Sequence, residues 1–313
     1  MSSGRILITC RQMQSCLPQF ISRFDEAGLE VDTPEVIQQP SEEELIAIIG
    51  GYDGMIAGDD PLTARVLEHA QRMRIISKWG VGVDGIDRQA AENLGIKVTN
   101  TPAVFGDDVA DVAAGYLVLL ARRLHVMHSS VAAGGWHKHE GRRLSGSRLG
   151  IVALGSIGQA VARRGNGFGM QVSAFDVSPE AADAAATLGV TMRNLDDLFA
   201  TSDYLVLCCP LTEATRHLVN ERTLALMPQG ANLINVARGP VVDEAALAEA
   251  LASGNLAAAA LDVFEIEPLP SDSPLRGFEQ CVFGSHNASN TREGVIDASA
   301  RAVDNLFEGL GIQ

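Results

Sequence analysis

Leu149-Gly150-Ile151-Val152-Ala153-Leu154-Gly155-Ser156-Ile157-Gly158-Gln159-Ala160-Val161-Ala162 is the stretch on which the fold turns. An apolar strand runs into a Gly-containing turn and then into the start of a helix. Gly155 allows the main chain to come close to a pyrophosphate, Gly158 allows helix and strand to pack tightly, and the first N–H groups of the helix are aligned to receive an anion. Ser156 and Ile157 complete the turn. The first glycine of the usual dinucleotide fingerprint is replaced by Ala153, and Gly-rich turns also serve purely structural ends. Context decides the reading. Asp176 lies eighteen residues beyond Gly158, at the end of the next apolar run, 171–175. A carboxylate there accepts hydrogen bonds from the adenosine ribose hydroxyls and repels a 2′-phosphate, which selects NAD over NADP.

The alternation continues on both sides. Residues 149–154, 171–175, 204–209, 232–236, 258–263 and 281–283 read as six strands, enough for a complete dinucleotide-binding sheet. Toward the N-terminus, Ile6-Leu7-Ile8, Leu29-Glu30-Val31, Met55-Ile56-Ala57, Ile75-Ile76-Ser77 and Lys97-Val98-Thr99 are short aliphatic runs of the kind found in parallel sheets. Ser41-Glu42-Glu43-Glu44 is a capping box, and 87–94 followed by Gly95 reads as a short helix with a glycine stop. Residues 107–124 predict one long helix whose apolar positions, Val109, Val112, Ala113, Tyr116, Leu117, Leu119 and Leu120 among them, cover most of its circumference and require burial on several sides. Boundaries are expected at 99–104 and near 287–293, with a last helix at 293–310 returning to the first domain. The substrate domain is therefore discontinuous, 1–101 with 290–313, and the NAD-binding domain, 102–289, is inserted in it.

Composition supports that class. The 313 residues are 46% hydrophobic and only 5% aromatic, which suits α/β layers packed from aliphatic side chains. A formal charge of −15 repels phosphate backbones and anionic lipid, so nucleic acid and membrane surfaces are not expected partners. Cys10, Cys16, Cys208, Cys209 and Cys281 form an odd set without metal-ligand spacing and read as reduced, buried thiols. Cys208 and Cys209 are expected on a strand, facing opposite ways. Met1-Ser2-Ser3-Gly4 leads directly into the first strand without a signal-peptide pattern, and the expected location is cytoplasmic.

Three polar residues follow predicted strands of the second sheet, where ligands of open α/β sheets bind. Arg238 ends Asn235-Val236-Ala237-Arg238, and its planar guanidinium can grip a carboxylate or carbonyl oxygen. Glu267 follows Asp262-Val263-Phe264-Glu265-Ile266, and His286 follows Gly284-Ser285. A carboxylate beside an imidazole fixes its tautomer and supports a proton donor coupled to hydride transfer. Singly, each has an ordinary alternative: a surface ion pair, a solvated charge, a buried structural histidine.

Together with Lys78-Trp79-Gly80-Val81-Gly82-Val83-Asp84-Gly85-Ile86-Asp87, Asn100-Thr101-Pro102, the helix of 109–122 and Pro210-Leu211-Thr212, these residues resemble the D-isomer-specific 2-hydroxyacid dehydrogenase family over nearly the whole chain. Departures are Ala153, Gly85 where the family usually has Asn, and Ser285-His286-Asn287 where Pro-His is commoner. The resemblance implies two Rossmann-like, doubly wound parallel-sheet α/β domains, the substrate domain being flavodoxin-like. It implies that His286 is the acid/base, Glu267 its partner and Arg238 the substrate clamp. Val81 and Gly82 would cradle a carboxylate through main-chain N–H groups, Asp262 would hold the nicotinamide carboxamide, and Pro210 and Ala237 would line the cofactor. It also implies a homodimer.

Within the family the chain looks nearest to D-3-phosphoglycerate dehydrogenase without its regulatory extension. Lys78 and Arg11 can be read as phosphate ligands or as ordinary strand-end cations. Glyoxylate or hydroxypyruvate reduction is the alternative reading, and an NAD-sensing corepressor-like binding protein is another. His137 and His139, beside Trp136, lack a third metal ligand and read as part of an arm at a subunit interface.

Overall fold

The computed structural model describes residues 4–35 and 39–312. Met1-Ser2-Ser3, read above as leading into the first strand, lie outside the described residues. The chain divides into two compact units: one formed by the described residues up to Val104 with those from Asn290 onward, the other Phe105–Ser289.

In the first unit, β1 (Gly4–Ile8), β2 (Leu29–Asp32), β3 (Gly54–Ala57), β4 (Ile75–Lys78) and β5 (Lys97–Thr99) make a five-stranded sheet in the order β2-β1-β3-β4-β5. Every pairing is parallel. Side chains on both faces of β1 are fully covered, Ile6, Leu7 and Ile8 at 0% exposure, which explains why the run is continuously aliphatic. One cover is the helix Arg292–Leu310: Ser77 Oγ donates to Ala302 O at 2.9 Å, and a Cβ on Gly54 would come within 2.8 Å of Leu306.

The second unit holds β6 (Arg148–Val152), β7 (Gln171–Phe175), β8 (Thr191–Met192), β9 (Tyr204–Leu207), β10 (Ala231–Asn235), β11 (Leu256–Leu261) and β12 (Cys281–Phe283). Their order is β12-β11-β10-β9-β6-β7-β8, again all parallel. Parallel pairing sends the carboxyl ends of all these strands to one edge. The turns after β6, β7, β9, β10, β11 and β12 therefore share that edge, and they carry every residue of this unit singled out above as a site residue. Both sheets are doubly wound α/β structures.

Three local expectations change. The sheet has seven strands among the described residues, because the two-residue edge strand β8 is too short to leave a period-2 pattern. The long helix stops earlier: Gly106–Arg122 is closed by Arg123 in a left-handed conformation (φ 52°), and a second helix, Leu124–Ala132, begins at once. Val112 and Leu119 on the first of these are only partly covered within a single chain. Cys208 and Cys209 lie beyond the end of β9, Cys209 buried and Cys208 partly so; all five cysteines are free thiols.

Candidate active site

The turn after β6 is built for close approach. Ala153 occupies the left-handed region (φ 73°), the conformation that the missing glycine would adopt freely. Gly158 cannot be replaced without movement, since a Cβ there would stand 2.1 Å from the carbonyl oxygen of Ala153. Gly155 caps the helix Ser156–Gly167 and brings no side chain to its N-terminus. Asp176 sits immediately after β7. Its Oδ2 accepts from Leu154 N at 2.6 Å and its Oδ1 from Ser178 N at 2.8 Å, so the acid expected at the ribose also ties the turn in place. Each carboxylate oxygen can accept a further bond. A left-handed turn, a glycine under the helix and a strand-end carboxylate fit a dinucleotide; NAD would be held by 155–158 and Asp176.

The turn after β10 places Arg238. Asn235, fully buried, donates through Nδ2 to Arg238 O (2.9 Å) and accepts at Oδ1 from Ala237 N (3.0 Å), locking the backbone that presents the guanidinium. Arg238 Nη1 itself donates to Ala237 O at 2.9 Å. The next residue, Gly239, lies against the peptide joining Phe264 and Glu265, within 1.8 Å of where a Cβ would stand. Arg238 and the loop leading to Glu267 are thus neighbours through a contact that only glycine permits.

Glu267 and His286 meet directly. His286 Nδ1 and Glu267 Oε2 are 2.8 Å apart, with both side chains about a quarter exposed, at 28% and 26%. The other carboxylate oxygen accepts from Phe264 N at 3.0 Å. His286 has φ 53°, and its turn is pinned by Asp262: His286 N donates to Asp262 O, Asn287 N to Oδ1 (3.2 Å) and Ala288 N to Oδ2 (2.9 Å). Asp262 is 3% exposed. Tyr116 lies close by, its hydroxyl pushed well above the usual phenol range by burial and then by the Asp262 charge.

In the first unit, Gly80 (φ 127°) opens the turn after β4. Thr101 N donates to Gly80 O (2.9 Å) and Asn100 Nδ2 to Val81 O (2.6 Å), holding Val81 and Gly82 by the carbonyl side of the turn. Lys78 is 5% exposed; its ammonium donates to Asp59 Oδ1 (3.1 Å) and to Trp79 O (2.8 Å). Beside it, burial pushes the Asp60 carboxyl up to about 6 while Thr9 Oγ1 donates to it. Lys78 is therefore already engaged by a carboxylate.

Sequence reasoning missed Asn235, Glu244, Glu265 and His217. A polar residue inside an apolar strand was the available signal for Asn235. The others form contacts only on folding: Glu265 N donates to Glu244 Oε1 (2.7 Å), and His217 Nε2 to Glu265 Oε1 (2.6 Å).

A parallel sheet with a dinucleotide turn, and a His–carboxylate pair beside an arginine on its carboxyl edge, define a class: nicotinamide-dependent dehydrogenases of α/β build. Residues 114–288 match the family model described as D-isomer specific 2-hydroxyacid dehydrogenase, NAD binding domain. The chain is 38% identical over 276 residues to a hydroxypyruvate reductase of Thermotoga maritima, covering 86% of this chain and 89% of that one. It is 39% identical over 294 residues to a glyoxylate reductase of Korarchaeum cryptofilum, covering 92% and 88%. A D-3-phosphoglycerate dehydrogenase of Methanocaldococcus jannaschii is 36% identical over 90% of this chain, but only 54% of that protein is covered. The crystal structure of the TT0316 protein from Thermus thermophilus superposes with a TM-score of 0.88 at 35% identity, covering 99% and 98%. The chain belongs to the D-isomer-specific 2-hydroxyacid dehydrogenase family, and it is an NAD-dependent enzyme of that family.

Proposed function

We propose that this enzyme reduces a small, unphosphorylated 2-oxo acid of the glyoxylate or hydroxypyruvate kind to the corresponding 2-hydroxy acid. The observation that carries the chemistry is the 2.8 Å contact of His286 Nδ1 with Glu267 Oε2. With that nitrogen committed to the carboxylate, the proton for the substrate oxygen is assigned to Nε2. Bound NADH supplies the hydride. Arg238 orients the substrate by charge-assisted hydrogen bonds, and the N–H groups of Val81 and Gly82 take its carboxylate. As the carbonyl carbon gains the hydride its oxygen becomes an alkoxide. Arg238 stabilises that charge and protonated His286 quenches it, Glu267 stabilising the imidazolium beforehand. Asp262 and Pro210 with Ala237 are proposed to line the nicotinamide end.

The sequence placed the chain nearest to phosphoglycerate dehydrogenases. Two observations favour the alternative. The glyoxylate and hydroxypyruvate reductases are matched over most of their length, and the Lys78 ammonium, a candidate phosphate ligand, is engaged by Asp59. Steady-state assays with glyoxylate, hydroxypyruvate, pyruvate and 3-phosphohydroxypyruvate, each with NADH and NADPH, test both points. The expected result is kcat/KM with NADH at least about tenfold higher for glyoxylate or hydroxypyruvate than for 3-phosphohydroxypyruvate. A preference for the phosphorylated acid would restore Lys78 as its ligand, and a preference for NADPH would remove Asp176 from the ribose site.

A cytoplasmic location and a two-fold dimer belong to the same proposal. Five free thiols suit a reducing compartment, and among the described residues no helix is long and apolar enough to cross a membrane. Leu124, Val131 and Trp136, the last 81% exposed, give residues 124–136 apolar surface for a second copy. Sedimentation of the wild-type enzyme against a Trp136→Glu variant checks the dimer.

A further inference from the structure

The proposed mechanism uses Glu267 and His286 but not the acidic residues around them. Glu267 ends a tight loop, 264–267, and three groups from outside the loop converge on its second residue, Glu265. Glu244, the first residue of the helix Glu244–Ala252, accepts from the Glu265 N–H at 2.7 Å. The imidazole of His217 holds the Glu265 carboxylate at 2.6 Å, and His217 is itself anchored by its N–H on Pro240 O at 2.8 Å. Gly239 seals the face of the Phe264–Glu265 peptide. Inside the loop, Phe264 N–H returns to Glu267 Oε1.

We propose that Glu244 is a positioning residue for hydride transfer: its carboxyl oxygen, bound to the Glu265 N–H, fixes the loop that aims the Glu267 carboxylate at His286. This rests on the assignment of Glu267 and His286 made above. The arrangement is electrostatically expensive. Burial pushes the Glu244 carboxyl up, the hydrogen bond from the Glu265 N–H offsets part of that, and the Glu265 and Glu267 charges push it up again. Glu244 and Glu265 thus bring two further carboxylates up to the Glu267–His286 pair, a costly clustering of the kind found where the geometry of reacting groups matters. The helix N-terminus offsets part of the cost by favouring negative charge at its first residue.

Glu244→Ala and Glu244→Gln separate position from charge, because the glutamine carbonyl can still accept from the Glu265 N–H. The expected result for Glu244→Ala is a fall in kcat of about tenfold to a hundredfold, the size of effect that small misplacements of a reacting group produce. NADH affinity by fluorescence titration and KM for the 2-oxo acid should stay within about twofold, and Glu244→Gln should recover kcat to within about threefold of wild type. Wild-type kcat in Glu244→Ala overturns the proposal, as does a Gln variant no better than Ala. Should Glu244→Ala fail to fold, Glu244→Met, of similar volume but without the acceptor, makes the same contrast with Gln. His286→Ala and Glu267→Gln run alongside: normal turnover in those two would mean that the assignment of the pair is wrong, whereas their collapse beside a normal Glu244→Ala sinks only the role of Glu244.

Discussion

The turns after β6 and after β12 are built by the same device and serve different ends. In each, a non-glycine residue sits in the left-handed region, Ala153 at φ 73° and His286 at φ 53°. In each, the N–H of that residue donates to the neighbouring strand's end, Ala153 N to Phe175 O at 2.8 Å and His286 N to Asp262 O at 2.7 Å. In each, an aspartate following that neighbouring strand takes up the next N–H groups: Asp176 takes Leu154, and Asp262 takes Asn287 and Ala288. A left-handed non-glycine residue costs on the order of 1–3 kcal/mol and persists only where its surroundings over-determine it. At 286 that cost goes into aiming an imidazole at Glu267. At 153 no side-chain chemistry comes in return, because the turn, as the proposed cofactor site, would work through its main chain. On the proposed assignment, strain at a strand end serves the chemistry where the side chain that bears it is used, as at 286, and serves only the path of the main chain where it is not, as at 153.

The strongest way to break the comparison is to remove the imidazole. His286→Ala is expected to lower kcat by a factor of about 10² to 10⁴, the usual loss on removing a positioned general acid, with NADH binding unchanged. His286→Gly sharpens the point, since it relaxes the turn as well. It should be as inactive as the alanine variant yet more stable than it in a thermal melt. Substantial turnover in either would reduce His286 to a structural turn residue like Ala153.

The two aspartates should separate by readout. An amide in place of either carboxylate keeps one acceptor oxygen and loses charge. Both oxygens of either aspartate serve main-chain donors, so in each variant an amide nitrogen must face an N–H, at a cost of about 1–3 kcal/mol. Asp262→Asn is therefore expected to reduce kcat and thermal stability together. Asp176→Asn, whose turn carries no acid/base group, should lose stability as well but differ in its catalytic readout: weaker NADH binding and narrower discrimination against NADPH, with kcat at saturating cofactor little changed. Equal effects of the two on kcat would show that the turns are not functionally distinct.

The parallel strands were legible because both faces of each are buried, which leaves uninterrupted aliphatic runs, and parallel connection then dictates that strand-end residues share an edge. That is why Glu267 and His286, nineteen residues apart, were legible as a pair. What was not legible depended on contacts made only after folding. The edge strand of Thr191–Met192 is defined by its pairing with β7 and not by any pattern of its own. The break at Arg123 follows no glycine or proline. Lys78 read equally well as a phosphate ligand or as an ordinary cation until Asp59 was seen against its ammonium. Glu244 looked like one more acidic residue at a helix start, and its target, the N–H of Glu265, is a main-chain group that leaves no mark in a side-chain pattern.

The smallest expected effect tests the quieter half of the comparison. If the left-handed conformation at 153 is only tolerated, Ala153→Gly should relieve it without loss. Glycine, having no Cβ to meet the following carbonyl, adopts φ near +73° freely, a gain of about 1 kcal/mol or more, but it also loses more freedom on folding, which returns about 0.4–1 kcal/mol. The balance favours the variant by roughly 0.5 kcal/mol. That predicts a small rise in the thermal midpoint with unaltered kcat and equal or tighter NADH binding. A clear loss of NADH affinity would mean that the alanine methyl is part of the cofactor surface. Ala153 would then be, like His286, a residue whose strain carries a side chain to where it is needed.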